Sequence, residues 1–267
     1  MVRNLKVSRS AYSQWRKGKK SKRQLENEEL SHLLQSEWEE SRYQYGCPRL
    51  TERLRQKGWK VTRKRIARLM REKGMCAKRK KPWKVTTQSK HRYPIAENIL
   101  NRDFRADQPN QKWVGDITYL LTQEGWLYLA VVMDLHSRKI VGWSMNTHMR
   151  TDLVLDALNM AIQDRKPLEG LLFHSDRGVQ YASDAYRKRL KQAKITQSMS
   201  RKGNCWDNSP MESFFGTLKQ EGCGILFKSR QEARIHVFDY IETFYNPQRI
   251  HSKLGYLSPN QFEALPA

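Results

Sequence analysis

The sequence predicts an α/β protein: a mixed five-stranded sheet flanked by helices and preceded by a small all-helical module. Three observations lead there. Between about residues 107 and 222, three consecutive strand-like runs give way to helical patterns alternating with short apolar strands, as in a mixed sheet covered by helices. Before residue 75 the large apolar side chains recur only at helical spacing, with one break at Gly58-Trp59. An apolar content of 38% with eight Trp in 267 residues suffices for one sizeable core plus a smaller module.

Residues 1–44 read as a basic N-terminal segment followed by an amphipathic helix. The first 24 residues are rich in Lys and Arg; Ser8 to Trp15 is either the end of a Ser-capped DNA-binding helix whose earlier part is missing, or a solvated basic tail. Leu25, Leu30, Leu33, Leu34 and Trp38 follow at helical spacing with Glu between them. Residues 45–75 read as a helix-turn-helix. Leu50 and Leu54 stand one helical step apart, and Thr62 caps a second helix with Ile66, Leu69 and Met70 on its apolar face. That helix is expected to expose Arg63, Lys64, Arg65, Arg68 and Arg71 to phosphates and guanine edges in a major groove; a solvated basic face on a structural helical pair is the alternative. Residues 76–106, with Lys78, Arg79, Lys80 and Lys81, read as a basic linker able to lie along a duplex backbone without choosing sequence.

Residues 107–222 hold the sheet. Strands are predicted over 113–121, 126–135 and 139–145, with a turn at 122–125. Leu153, Leu155, Ala157, Leu158, Ala161 and Ile162 mark a helix, and Leu171-Leu172-Phe173 a buried strand running to Asp176. A helix over 183–193 and a strand over 195–199 complete the layer, and the polar, Gly-containing stretch 200–208 reads as a mobile loop whose Arg201 and Lys202 can hold DNA. Residues 223–267 are a helical extension closing on Tyr245, Asn246, Arg249 and His251.

A formal charge of +23 requires a polyanionic partner, most simply nucleic acid. The long apolar-patterned region argues against a ribosomal protein, and the lack of a long basic amphipathic helix against a membrane-surface one. No run approaches the roughly 18 apolar residues of a membrane span, and Met1-Val2-Arg3-Asn4 leads into no signal-peptide core. Four cysteines without a short paired spacing are read as free thiols in a reducing cytoplasm, where the protein would sit on the nucleoid.

Three stretches each place a carboxylate among apolar or aromatic residues: Trp113-Val114-Gly115-Asp116, His174-Ser175-Asp176-Arg177-Gly178 and Met211-Glu212-Ser213-Phe214-Phe215. Gathered without a counter-ion, such charges would repel by roughly 4 kcal/mol per pair at an effective dielectric of about 20. A divalent metal removes that repulsion, and hard ions prefer oxygen ligands. Each acid also has a structural reading of its own, as a strand-end, turn or helix N-terminal residue. Asp134, which also ends an apolar strand, is read as a turn or salt-bridging residue; His174 is read as a partly buried histidine with satisfied hydrogen bonds, or as a neighbour of the metal or DNA.

The order Asp116, Asp176, Glu212, with thirty-five residues between the last two, resembles the DDE transposases and retroviral-type integrases. More narrowly, Trp113 to Tyr119, His174 to Gly178, Gly203-Asn204-Cys205-Trp206-Asp207-Asn208 and Tyr245-Asn246-Pro247-Gln248-Arg249 resemble the second-frame product of bacterial two-frame insertion sequences. The resemblance implies a ribonuclease-H-like integrase core with Asp116 on its first strand, Asp176 just after the fourth, and Glu212 on a helix crossing the sheet edge. It further implies metal-dependent cleavage and strand transfer at the element's ends, with Mg2+ or Mn2+, two ions per site, held by the three carboxylates. Lys219, two helical turns beyond Glu212, would lie against DNA near the scissile phosphate. The partners implied are double-stranded DNA, further copies of the chain, and an upstream-frame product, fused or separate. A DNA-binding regulator with an inactive core, or a cellular nuclease of the same fold, are the rival readings.

Overall fold

The computed structural model describes residues 8–18, 20–77, 93–223 and 226–266. The chain forms two compact units, residues 1–79 and 80–267.

In the first unit, α1 (Arg9–Arg16) precedes α2 (Lys22–Glu40), whose start is fixed by a reciprocal capping box between Ser21 and Gln24. Helix α3 (Cys47–Gln56) opens with Pro48 in its first turn, where a missing N–H costs nothing. Helix α4 (Arg63–Glu72) is capped by the Thr62 hydroxyl, which accepts from the Arg65 N–H. Leu30 and Leu34 of α2, Leu50 and Leu54 of α3, and Ile66 and Leu69 of α4 are all buried together with Met70. Each such burial contributes about 1.5–3 kcal/mol, enough to hold three short helices that would not persist alone. Leu25 departs from the expected apolar stripe and is exposed.

The second unit is built on one five-stranded sheet: β1 (Lys112–Thr122), β2 (Gly125–Asp134), β3 (Ile140–Asn146), β4 (Leu172–Ser175) and β5 (Thr196–Met199), in the order β3-β2-β1-β4-β5. The first three form an antiparallel meander, and β4 and β5 run parallel to β1. Helices follow in turn: α5 (Thr151–Arg165), α6 (Val179–Ala182), α7 (Asp184–Gln192), α8 (Ser209–Glu221), α9 (Arg230–Phe238) and α10 (Pro259–Glu263), with a π-helical stretch, Asp239–Tyr245, continuing α9. The short α6 has no counterpart among the sequence-predicted elements.

Trp113, Phe173 and Tyr186 fill the core with Leu153, Ala157, Leu158 and Ala161 of α5. Close seating of α5 on β3 depends on Gly142, where a Cβ would fall 2.2 Å from the Ala157 carbonyl oxygen. Helix α8 packs against β1, the middle strand, and so corrects the expectation that it crosses the sheet edge.

Candidate active site

Strand register brings the first two acids together. Gly115 pairs with Ser175 in the parallel β1–β4 ladder, so Asp116 and Asp176 each stand one residue beyond a matched pair. Both are only partly exposed. Gly115 is required beside them: a Cβ there would lie 2.5 Å from Cζ of Phe173, which is itself fully buried. Asp116 Oδ1 accepts the Ile117 N–H at 2.8 Å, and Asp176 Oδ1 accepts the Gly178 N–H at 2.9 Å. A Cβ on Gly178 would meet that same Asp176 oxygen at 2.9 Å. Glu212 lies in the first turn of α8, on its exposed side.

Loss of hydration drives the Asp116 carboxyl well above its ordinary range; the charge of Asp176 adds to this, as does the more weakly felt Glu212, while the Ile117 N–H and Lys219 oppose it. Desolvation also raises the Glu212 carboxyl. Among the described residues no three His, Cys, Asp or Glu side chains are already gathered as a metal-ligand cluster. The donor set nonetheless suits a hard divalent cation: Asp116, Asp176 and Glu212 offer carboxylate oxygens, and the first two repel for want of a positive charge.

Lys219 belongs to this site. Its Nζ sits 4.8 Å above the Tyr119 ring on β1, and it feels the Asp116 carboxylate. Desolvation lowers its ammonium to about 8, against the opposing pull of Cys223 and Asp116.

The loop from 200 to 208 corrects an expectation. Read from sequence as a mobile loop, it is anchored through Asp207, whose fully buried carboxylate accepts from the Arg201 N–H, Nε and Nη2, from Arg102 Nε and from Asn98 Nδ2 at 2.8–3.0 Å. The Arg201 guanidinium beside it holds Asp207 far below the usual carboxylate range. Arg201, expected on DNA, is paired with Asp207 while its side chain stays 47% exposed, and Lys202 is exposed. Asn208 Nδ2 donates to the Gly115 carbonyl at 3.3 Å, next to Asp116.

His174 is a core residue rather than a neighbour of the metal. It is fully buried between the Ser198 and Ser200 hydroxyls, at 2.8 and 3.1 Å, and desolvation pushes its imidazole down to about 4. Asp134 is structural as expected, accepting from the Asn110 and His136 N–H groups and pairing with Arg165.

The closing motif supports the site from outside. Asn246 both accepts from the Ile140 N–H and donates to its carbonyl, at 2.9 and 3.0 Å. Arg249 grips Glu221, the last residue of α8, through Nε and Nη2 at 2.6 and 2.8 Å. Tyr245 packs edge-on against Phe214 of α8 and against His251. Tyr245, Asn246 and Arg249 are buried, which excludes direct DNA contact and gives them a supporting role in the fold. Sequence reasoning misses Glu221 and Asp207, the partners that make sense of these cations, because each is separated from the residues it binds by loops whose course is invisible in sequence.

In the helical unit, Arg63, Lys64, Arg68 and Arg71 are exposed on α4. Arg65 is the correction: its guanidinium turns back to Glu26 and Asn27 of α2, at 2.9 Å to each, and it is largely covered. Lys78, Arg79, Lys80 and Lys81 lie outside the described residues.

Residues 24–83 match the HTH-like domain family, and 106–205 and 212–265 match two integrase core domain families. The chain is 45% identical over 266 residues to the transposase InsF of insertion sequence IS3A from Escherichia coli (strain K12), covering 98% of this chain and 92% of that one. The chain belongs to the IS3-family transposases.

This transposase is also 45% identical over 257 residues to a 31 kDa protein of insertion element IS600 from Shigella sonnei, covering 96% and 94% of the two chains. Its fold resembles a chain of the simian T-cell lymphotropic virus intasome solved with PP2A regulatory subunit B56 gamma, at TM-score 0.50 and 16% identity, over 83% of this chain and 72% of that one. The transposase thus joins an HTH-like DNA-binding domain to an integrase core of ribonuclease-H-like fold, and acts as a polynucleotidyl transferase in DNA transposition. None of the helices among its described residues is long and apolar enough to cross a membrane.

Proposed function

We propose that Asp116, Asp176 and Glu212 are the catalytic carboxylates with which this transposase cleaves and joins DNA at the ends of its insertion sequence. The observation that carries the reading is the placement of Asp116 and Asp176 one residue beyond a matched pair of neighbouring strands, with the Asp116 carboxyl raised by burial and by Asp176, and more weakly by Glu212, against the Ile117 N–H and Lys219. Functional sites are where such unfavourable charge is kept. Asp116 and Asp176 would hold the divalent ions in common and Glu212 would complete the set; when bound, two Mg2+ or Mn2+ ions supply charge neutralisation at the phosphate and activation of the attacking oxygen.

Water attacks phosphorus at the element's end and displaces the 3′ oxygen; the freed 3′-hydroxyl then attacks another phosphodiester in the same site and displaces the 3′ oxygen of that bond. Both are in-line displacements, so one arrangement of side chains serves both. Lys219, held over Tyr119 beside Asp116, lies against the phosphate near the scissile bond. Arg63, Lys64, Arg68 and Arg71 on α4 grip the terminal repeats, with Lys202 and the 78–81 cations adding backbone contacts. Holding two ends at once calls for a homo-oligomer on DNA, and an upstream-frame product, fused or separate, is a further partner.

A supercoiled plasmid carrying the gene with its native flanking DNA tests this. In Mg2+ or Mn2+ the wild type is expected to nick and join at defined flanking ends, and Asp176→Asn to bind duplex normally without cutting. A variant that still cuts would remove Asp176 from the site.

A further inference from the structure

Trp206 stands where an aromatic surface has no structural use. Its side chain is 68% exposed, and among the described residues no aromatic side chain is more so. A single exposed apolar residue is ordinary; the setting of this one is not. Ser200, at the start of its loop, is tied to the end of β4: its N–H donates to Ser175 O at 2.9 Å and its carbonyl accepts from Arg177 Nε at 2.5 Å, on either side of Asp176. At the other end, Asn208 donates to Gly115 O, the residue before Asp116. Asp207, next to Trp206, is sunk out of solvent on five hydrogen bonds. The loop is therefore fastened at both ends beside two of the proposed catalytic carboxylates, with Ser200, Asp207 and Asn208 buried and one large ring left outside.

The surroundings specify what such a ring would take. Arg102 and Arg201 share the single charge of Asp207, which leaves the cluster net positive, and their side chains remain 45% and 47% exposed. Lys202 is exposed in the same loop. An exposed aromatic ring, next in the chain to a carboxylate that holds two half-exposed guanidinium groups, offers the two features that hold an unpaired nucleotide, a stacking platform for the base and cations for its backbone. Within the loop itself, the described chain neighbours of Trp206 are polar or buried.

We propose that Trp206 stacks on a base drawn out of the duplex immediately beside the scissile phosphate, so that it positions the DNA end over Asp116 and Asp176. This rests on the carboxylate assignment above. Without the ring, no stacking offsets the cost of unpairing, so the cut on paired ends slows more than overall DNA binding weakens, the helical unit carrying most of that binding.

The test uses the full chain and duplexes of the native flanking end with 2-aminopurine placed singly at the positions on each side of the cleavage point. With wild type, fluorescence at one of these positions changes on binding; Trp206→Ala abolishes that change, and Trp206→Phe keeps most of it. Trp206→Ala is expected to cut the paired end roughly ten- to hundredfold more slowly and to regain most of the rate on an end with a mismatch at that position. The substituted side chain is exposed, so thermal unfolding serves as the check that the fold is intact. Cutting by Trp206→Ala at the wild-type rate would overturn the inference alone, as would a slow variant with an unchanged 2-aminopurine response. A wild type that does not cut its own ends would overturn the carboxylate reading and this inference with it.

Discussion

Gly115 shows how little room surrounds the proposed carboxylates. The Phe173 ring that a Cβ would strike is wedged against Tyr181 and Tyr186, with centroids 6.3 and 5.8 Å away, and has nowhere to retreat. Gly115→Ala should therefore cost about 1–3 kcal/mol, seen as a melting temperature lowered by several degrees, and should shift Asp116 as β1 yields. Asp207 gives the pH dependence. Its folded carboxyl titrates below its ordinary value of 3.8, so the unfolded chain takes up protons first as the solution is acidified. The stabilisation is whole above that value and is lost as pH falls from there towards the depressed folded one. Acid unfolding of Asp207→Asn should show a shallower dependence on pH below about 4 than wild type, from a lower starting stability. At this scale the structural nature of Asp134 was legible, and so was the position of Asp116 and Asp176 at strand ends, because each sits in a local pattern of apolar neighbours. The fates of Arg65 and Arg201 were not: a basic residue looks the same in sequence whether it faces solvent or an acid such as Glu26 that lies 39 positions away.

Helix α4 and helix α8 carry the element-scale consequences. Substituting Arg68 or Arg71 by Ala should reduce the slope of log binding constant against log salt by about 0.9 for each phosphate no longer neutralised, whereas Arg65→Ala should lower stability and leave the slope near wild type. A slope that falls with Arg65 instead would reassign the DNA face of α4. For α8 the governing interaction is at its far end. Arg249→Ala strands Glu221, which is 5% exposed, as a buried charge beside the Tyr240 hydroxyl that also donates to it. That should cost about 3–5 kcal/mol by urea unfolding, and the double variant Glu221→Gln/Arg249→Met should recover most of it because no buried charge remains. The start of α4 was readable from the Thr62 cap. The packing of α8 on the middle strand was not, since it follows from a chain path through the loops.

Across the whole chain, the sheet was legible because meander and crossover segments differ in pattern. Strand β2 is apolar along nearly its full length, as a strand covered on both faces must be, and α5 shows its apolar stripe plainly. The composition pointed correctly to DNA, since a surplus of 23 positive charges has few other uses. What composition could not reveal is how many of those charges serve the fold.

The Asn246 and Arg249 interactions also have a bearing on when this molecule becomes dangerous to DNA. Synthesis proceeds from the N-terminus, so Asp116, Asp176 and Glu212 are all made before either residue exists. Until then the Ile140 backbone, 106 positions upstream of Asn246, lacks its partner, and α8 ends in an uncompensated acid. A nascent or prematurely ended chain would thus display every acid of the proposed centre without the clasp that steadies the third. The clasp on β3 and α8 thus closes only after the residues up to Arg249 have been made.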